Sequence, residues 1–257
     1  MNFVKTIIND RIASIILDRP DKKNALNAEF VIELKQAFLS IQENEQVRAI
    51  LLKSSGDAFC AGADLEYLQK LQKFSHDENL ADSMNLAELF QIIYACPKPV
   101  ISIVNGPALA GGCGLATVCD FCFATPESSF GYTESRIGFI PAIVMVFLRN
   151  KVGETTSKKL LFTGEVFNAN KALDMGLITN IYSADLLEEE VLGFVSNLIK
   201  GSSGSSIALI KEMYNSLEGK SLSESIQYAC EMNAKARETQ DCKSGISGFL
   251  NKEKRSW

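Results

Sequence analysis

Asn105-Gly106-Pro107-Ala108-Leu109-Ala110-Gly111-Gly112-Cys113-Gly114-Leu115-Ala116-Thr117-Val118-Cys119-Asp120 is the stretch on which the fold turns. It follows an apolar run, Val100–Val104, turns through Ala110-Gly111-Gly112, continues as a short helix over Cys113–Val118 and reaches a second apolar run, Phe121–Ala124. Strand, loop, helix and strand in that order make one unit of a parallel sheet. Working outward, two earlier segments share the plan. Phe3–Ile8 and Ile12–Leu17, separated by Asn9-Asp10-Arg11, read as a hairpin that Arg19-Pro20-Asp21 stops. Asn27-Ala28-Glu29 opens a helix with Phe30, Ile32, Leu34, Ala37, Phe38 and Ile41 on one face, and the strand Ala49–Leu52 follows. The loop Ser54–Asp64, a polar helical segment and a helix from about Met84 to Tyr94 then lead into Val100–Val104, behind Pro97 and Pro99. The expected class is α/β, with layered β-loop-α units.

After about residue 153 helical periodicity dominates, with helices expected over Lys159–Phe162, Ala169–Met175, Leu186–Ile199, Ile207–Leu217 and Leu222–Glu238. One more short helix fits Lys243–Lys254, and Gly201–Ser206 punctuates the series. A chain of 257 residues holds one large domain or a core with an appendage. The pattern divides it into a core over 1–195 and a helical C-terminal region over 196–257.

The composition excludes several classes of function. The apolar stretch Phe139–Leu148 falls short of the roughly 18–20 residues that span a bilayer, so no membrane is expected. The 26 basic and 31 acidic residues give a net charge of −5 with no basic block, so no nucleic-acid partner is expected. The seven cysteines, at 60, 96, 113, 119, 122, 230 and 242, suit small buried hydrophobes in a reducing compartment. Cys119 and Cys122 form a lone C-x-x-C, and His76 is the sole histidine, so no metal site is expected. Met1–Asp10 lacks an apolar signal region, which makes the cytoplasm the expected location.

A dinucleotide fingerprint fails at its third element. Gly112 and Gly114 supply two glycines, but Thr117 stands where close helix packing needs Gly or Ala. Glu134, 20 residues after Gly114, only mimics the ribose-binding acid. No G-x-S-x-G occurs, and a Ser-His-acid triad would have to draw on His76 in the polar run Lys73–Asn79. Two glycine-containing loops remain, Phe59-Cys60-Ala61-Gly62-Ala63-Asp64 and Gly106–Gly112, each behind a strand and before a helix. Backbone N–H groups are unpaired at helix starts, and two aimed at one point make an oxyanion hole. Either loop alone would read as an ordinary tight turn.

These residues also carry a family resemblance. Ala58–Leu65, Asn105–Asp120, Phe130-Gly131-Tyr132-Thr133-Glu134 with Gly138-Phe139-Ile140-Pro141, and Arg19-Pro20…Asn24-Ala25-Leu26 resemble the crotonase superfamily, the enoyl-CoA hydratase/isomerase family. The similarity runs from about Arg19 to the end, through Thr163-Gly164-Glu165, Ala169…Ala172…Gly176-Leu177 and Asp241…Gly245-Ile246…Phe249-Leu250…Lys252. It implies a spiral of ββα units, a helical C-terminal region that builds a homotrimer or a hexamer, and an acyl-CoA thioester as substrate, with no separate cofactor.

By the same resemblance the oxyanion amides belong to Ala63, in Ala61-Gly62-Ala63-Asp64, and to Gly111, in Ala110-Gly111-Gly112-Cys113. The resemblance makes Ala61, Gly62, Asp64, Gly112 and Gly114 lining residues of the substrate site. Asp64 also reads as a helix cap and Asp120 as structural. Phe249 and Lys252 would meet the adenosine phosphate end of the coenzyme, from this subunit or a neighbour; helix packing and a surface charge are their plain alternatives. Family hydratases typically hold one water between two glutamates. The later one matches Glu134, whereas Gly114 stands at the earlier position.

One glutamate suits a Δ3-Δ2 enoyl-CoA isomerase, and equally a hydratase in which another group helps hold the water. Gly-Gly-Cys-Gly together with Glu134–Ala142 looks like bacterial methylglutaconyl-CoA hydratases, which places hydration of a branched 2-enoyl-CoA first and isomerisation second. An acyl-CoA-binding protein without catalysis is a third reading, against which Glu134 and both loops count.

Overall fold

The computed structural model describes residues 3–253, 256 and 257. The chain opens with the antiparallel hairpin of β1 (Val4–Asn9) and β2 (Ile12–Leu17), followed by a 3-10 turn at Pro20–Lys22. Helix α1 (Ala28–Glu43) starts where the Asn27 side chain accepts the Phe30 amide, and its buried stripe is Phe30, Val31, Leu34, Phe38 and Ile41. Then come β3 (Ala49–Ser54), α2 (Leu65–Leu71), α3 (His76–Ala95) and β4 (Val100–Val104). The decisive stretch forms β5 (Ala108–Leu109) and α4 (Gly111–Thr117), and β6 (Phe121–Ala124) and β7 (Ser129–Gly131) follow. A 3-10 turn at Glu134–Ile137 precedes α5 (Ala142–Thr163), β8 (Val166–Asn168), α6 (Ala169–Asp174) and β9 (Asn180–Ile181). Helices α7 (Leu187–Gly201), α8 (Gly204–Leu217), α9 (Leu222–Glu238) and α10 (Gln240–Leu250) complete the chain.

The larger sheet has the order β1-β2-β3-β4-β6-β9, parallel from β2 onward, and the smaller has the order β5-β7-β8. Every residue of β4 is buried, as a parallel strand covered on both faces requires. Alternation in β2 divides the core. Ala13, Ile15 and Leu17 face the main cluster with α1, α3 and α4, whereas Ile12 faces a second cluster with Val191, Val195 and Ile199 of α7. Residue 195, the expected limit of the core, lies inside α7.

Two helices start well before their sequence reading, and α8 and α10 each start three residues early. Helix α3 begins at His76, eight residues before Met84, because Ser75 and Glu78 form a capping box; His76 is exposed. Helix α5 begins at Ala142, within the apolar stretch Phe139–Leu148 and 17 residues before the helix expected from Lys159, and continues past a break at Gly153. Ile143 through Leu148 are all apolar, so the run carries no 3.6-residue signal even though Val144 and Leu148 are the members that become buried.

The C-terminal helices are pinned to the core by charge. Lys211 of α8 pairs with Asp120 and donates to the Lys98 carbonyl at 3.3 Å, while Asp120 also accepts the Val100 amide at 2.7 Å.

Candidate active site

The two glycine loops leave the ends of adjacent parallel strands, β3 and β4, and are knitted together. The amides of Phe59 and Cys60 both donate to the Pro107 carbonyl, at 3.0 and 3.2 Å, and the Leu109 amide donates to the Cys60 carbonyl at 2.9 Å. The approach is so close that a Cβ on Gly112 would lie 2.2 Å from the Cys60 carbonyl oxygen, so only glycine fits there.

Beyond this seam each loop presents one backbone donor without an intramolecular acceptor among the described residues. In the first loop Leu26 pairs with Ala63 as an isolated parallel bridge: the Leu26 amide donates to the Gly62 carbonyl at 2.7 Å, and the Asp64 amide donates to the Leu26 carbonyl at 2.9 Å. That pattern occupies both neighbours of Ala63 and leaves the Ala63 N–H directed away. In the second loop the Ala110 amide donates to the Gly131 carbonyl at 2.7 Å, and Gly111 is the first residue of α4, where no preceding turn supplies an acceptor. Both donors predicted from sequence, Ala63 and Gly111, are therefore free.

Glu134 reaches the same region by way of β7. The Gly131 carbonyl holds Ala110, and the next residue, Tyr132, is fully buried with its hydroxyl 2.9 Å from Thr117 Oγ1 on α4. This anchors the turn that carries Glu134, whose charge is felt at Cys113, two residues after Gly111. Burial raises the Glu134 carboxyl above its ordinary value, partly offset by a hydrogen bond from its own backbone amide. Its Oε2 is buried without a hydrogen-bond partner, as is the neighbouring Ser135 Oγ. A buried, unpaired, basic oxygen is costly for the fold and suited to moving a proton.

Gly114 is closed as well as empty. A Cβ there would lie 2.2 Å from Val144 Cγ1, 2.9 Å from Val144 Cβ and 3.0 Å from Phe90 Cε1. The space beside α4 where a second carboxylate would start is thus filled by a valine methyl and a phenylalanine edge.

The other expected residues separate. Ala61 lies in the first loop, its amide donating to the Lys23 carbonyl at 3.0 Å. Asp64 is 4% exposed and caps α2: its Oδ1 accepts the amides of Glu66 and Tyr67 at 2.8 and 3.1 Å. Its Oδ2 takes no well-directed hydrogen bond and is held by charge, 2.8 Å from Arg19 Nη2. Burial raises the Asp64 carboxyl, but the Tyr67 amide and Arg19 outweigh it and leave the group below its ordinary range. Phe249 and Lys252 are not brought to the loops; α10 packs chiefly on α9 and α8, and Phe249 is 84% exposed at its end. Cys60 and Cys113 beside the loops are each pushed by burial up to about 12, so they are protonated thiols at neutral pH, not nucleophiles. Among the described residues no group of three His, Cys, Asp or Glu is placed to hold a metal ion, and no helix is long and apolar enough to cross a membrane. Reading the sequence did not single out Val144, or the pairing of Arg19 with Asp64. Arg19 and Asp64 stood in two separate motifs with nothing in their spacing to join them.

The profile of the enoyl-CoA hydratase/isomerase family matches residues 7–257. The chain belongs to this family. A crotonyl-CoA hydratase from Syntrophomonas wolfei is 32% identical over 248 residues, covering 95% of this chain and 94% of that protein. A Thermus thermophilus protein, provisionally named an enoyl-CoA hydratase, is 38% identical over 241 residues, with 94% and 95% coverage. The crystal structure of an enoyl-CoA hydratase from Shewanella pealeana superposes with a TM-score of 0.93 at 31% identity, over 99% of this chain and 96% of that one. The crotonase fold expected from the motifs is the observed one. This enoyl-CoA hydratase/isomerase family member is an enzyme, a lyase or isomerase, of a family that acts on acyl-CoA thioesters.

Proposed function

We propose that the protein adds water to a 2-enoyl-CoA thioester with Glu134 as the single proton-transferring group. The observation that carries this reading is the buried, unpaired Oε2 of Glu134 in the turn after β7, together with two loops that each offer a free amide. The Ala63 and Gly111 N–H groups would donate to the thioester oxygen. Glu134 takes a proton from water as the water oxygen bonds to C3, the electron pair of the double bond moves onto the thioester as an enolate, and Glu134 then returns the proton to C2. Each donor in such a hole is worth roughly 3–4 kcal/mol of barrier. The reaction uses no cofactor beyond the coenzyme A of the substrate. The likeness of the run Glu134–Ala142 to methylglutaconyl-CoA hydratases supports a branched chain of that kind.

A second reading, Δ3-Δ2 isomerisation, is favoured by the closure at Gly114. Carrying one proton from C2 to C4 needs a single carboxylate and no gripped water, and an apolar wall of Val144 and Phe90 suits that better. Purified protein mixed with crotonyl-CoA and with methylglutaconyl-CoA should deplete the conjugated enoyl absorbance of at least one of them. No change with either, together with conversion of a 3-enoyl-CoA, would replace hydration by isomerisation. The exposed Tyr214, Leu222, Phe249 and Leu250 on the C-terminal helices support assembly into a homotrimer or a hexamer.

A further inference from the structure

Arg19 lies in the loop after the hairpin, yet its side chain ends at the first glycine loop. Its guanidinium reaches two points at once: Nη1 donates to the Ala25 carbonyl at 2.9 Å, and Nη2 stands 2.8 Å from Asp64 Oδ2. These are the residues on either side of the Leu26–Ala63 bridge, Ala25 preceding Leu26 and Asp64 following Ala63. The bridge itself has only two backbone hydrogen bonds, and one rigid fork closes it from the side. The partners are enclosed, with side chains 13% and 5% exposed, so water competes little for the pair.

The neighbouring backbone is held with equal care. The Arg19 amide donates to Asn24 Oδ1 at 2.8 Å, and the fully buried Asn24, at φ 53°, donates from Nδ2 to the carbonyls of Ser55 and Ala58, each at 2.9 Å. Both ends of the loop from Ser55 to Asp64 are therefore tied to Arg19, one directly and one through Asn24. What this arrangement braces is the peptide between Gly62 and Ala63, whose carbonyl accepts the Leu26 amide at 2.7 Å and whose N–H therefore points the opposite way.

We propose that Arg19, acting through Asp64, is a positioning residue that aims the Ala63 N–H at the thioester oxygen. This rests on the oxyanion reading of the two loops. A donor displaced by about 1 Å costs on the order of 100-fold in rate, so Arg19→Met should lower kcat by about that factor while KM moves far less. Acetoacetyl-CoA is a probe that responds to the hole alone, because a site that holds its enolate shows the enolate absorbance band on binding. The wild type should show the band, and Arg19→Met and Asp64→Asn should lose it while keeping their affinity for free coenzyme A, which has no thioester oxygen. Asp64→Asn preserves side-chain volume and the Oδ1 acceptor of the α2 cap, so it carries the test if Arg19→Met does not fold. A band retained in both variants, with kcat unchanged, overturns the proposal and leaves the oxyanion reading standing. Absence of the band in the wild type overturns the oxyanion reading, and the role of Arg19 falls with it.

Discussion

Gly62 and Ala110 abut where the two loops meet, and each stands immediately before a free amide. A Cβ on Gly62 would lie 2.9 Å from the Ala110 Cβ and 3.1 Å from the Leu109 carbonyl oxygen. Both residues have positive φ, 91° and 49°, so the backbone on each side turns sharply just ahead of the N–H it presents. In an alanine, the Ala110 angles, φ 49° with ψ −127°, are strained by about 1–3 kcal/mol. Gly62→Ala should therefore cost about 1–3 kcal/mol of stability and most of the activity. Ala110→Gly should fold as well as the wild type. Denaturant melts of both and of the double variant check this: the double should recover part of the loss, and strictly additive effects would show that the two residues do not meet.

Glu134→Gln should reduce turnover by roughly 10²–10⁴, the usual worth of a general acid/base, with acyl-CoA affinity largely kept. The same variant should be more stable at neutral pH. A carboxyl whose pKa is raised on folding stabilises the folded chain at low pH and loses that contribution as the pH rises through the raised value. Burial raises Glu134 from 4.5, so the stability gap between Gln and Glu should open above that pH and close below it. Melting temperatures from pH 4 to pH 8 test the sign, and a less stable Gln variant at pH 8 would contradict it.

The same shift governs the pH dependence of activity. The proposed role of Glu134 uses its carboxylate form, so kcat/KM should fall on the acid side through an apparent pKa above the ordinary carboxylate value of 4.5. The measurement is a kcat/KM profile on the preferred thioester; an acid limb at or below 4.5 would show that burial does not tune the reacting group.

Gly114→Ala should be destabilising by about 1–3 kcal/mol, because its methyl would meet Val144 Cγ1 at 2.2 Å. Val144→Ala removes that methyl but keeps its Cβ at 2.9 Å, so it should rescue Gly114→Ala in part in a double-mutant cycle, with a coupling on the order of 1 kcal/mol. Zero coupling would mean that the space beside Gly114 is not closed by Val144.

Much of the fold was legible because its signals are local. The sequence predicts β6 and β4 with their observed limits, since each is a short apolar run bounded by turn residues. The 3.6-residue pattern predicts α9, and Ser221 supplies its cap. The candidate roles of Ala63, Gly111 and Glu134 come from motif order alone, and the structure adds why the two amides are free. Two relationships had no signal along the chain. Arg19 meets Asp64 only because Leu26 pairs beside Ala63, and Val144 closes on Gly114 only because α5 crosses α4. Both depend on tertiary register, which neither spacing nor composition encodes.

The most direct test of the central claim is a comparison of wild type and Glu134→Gln on crotonyl-CoA, methylglutaconyl-CoA and a 3-enoyl-CoA, following the conjugated enoyl absorbance at equal bound substrate. The account predicts turnover of at least one thioester by the wild type and a loss of roughly 10² or more in the variant. Turnover by Glu134→Gln at the wild-type rate would contradict it.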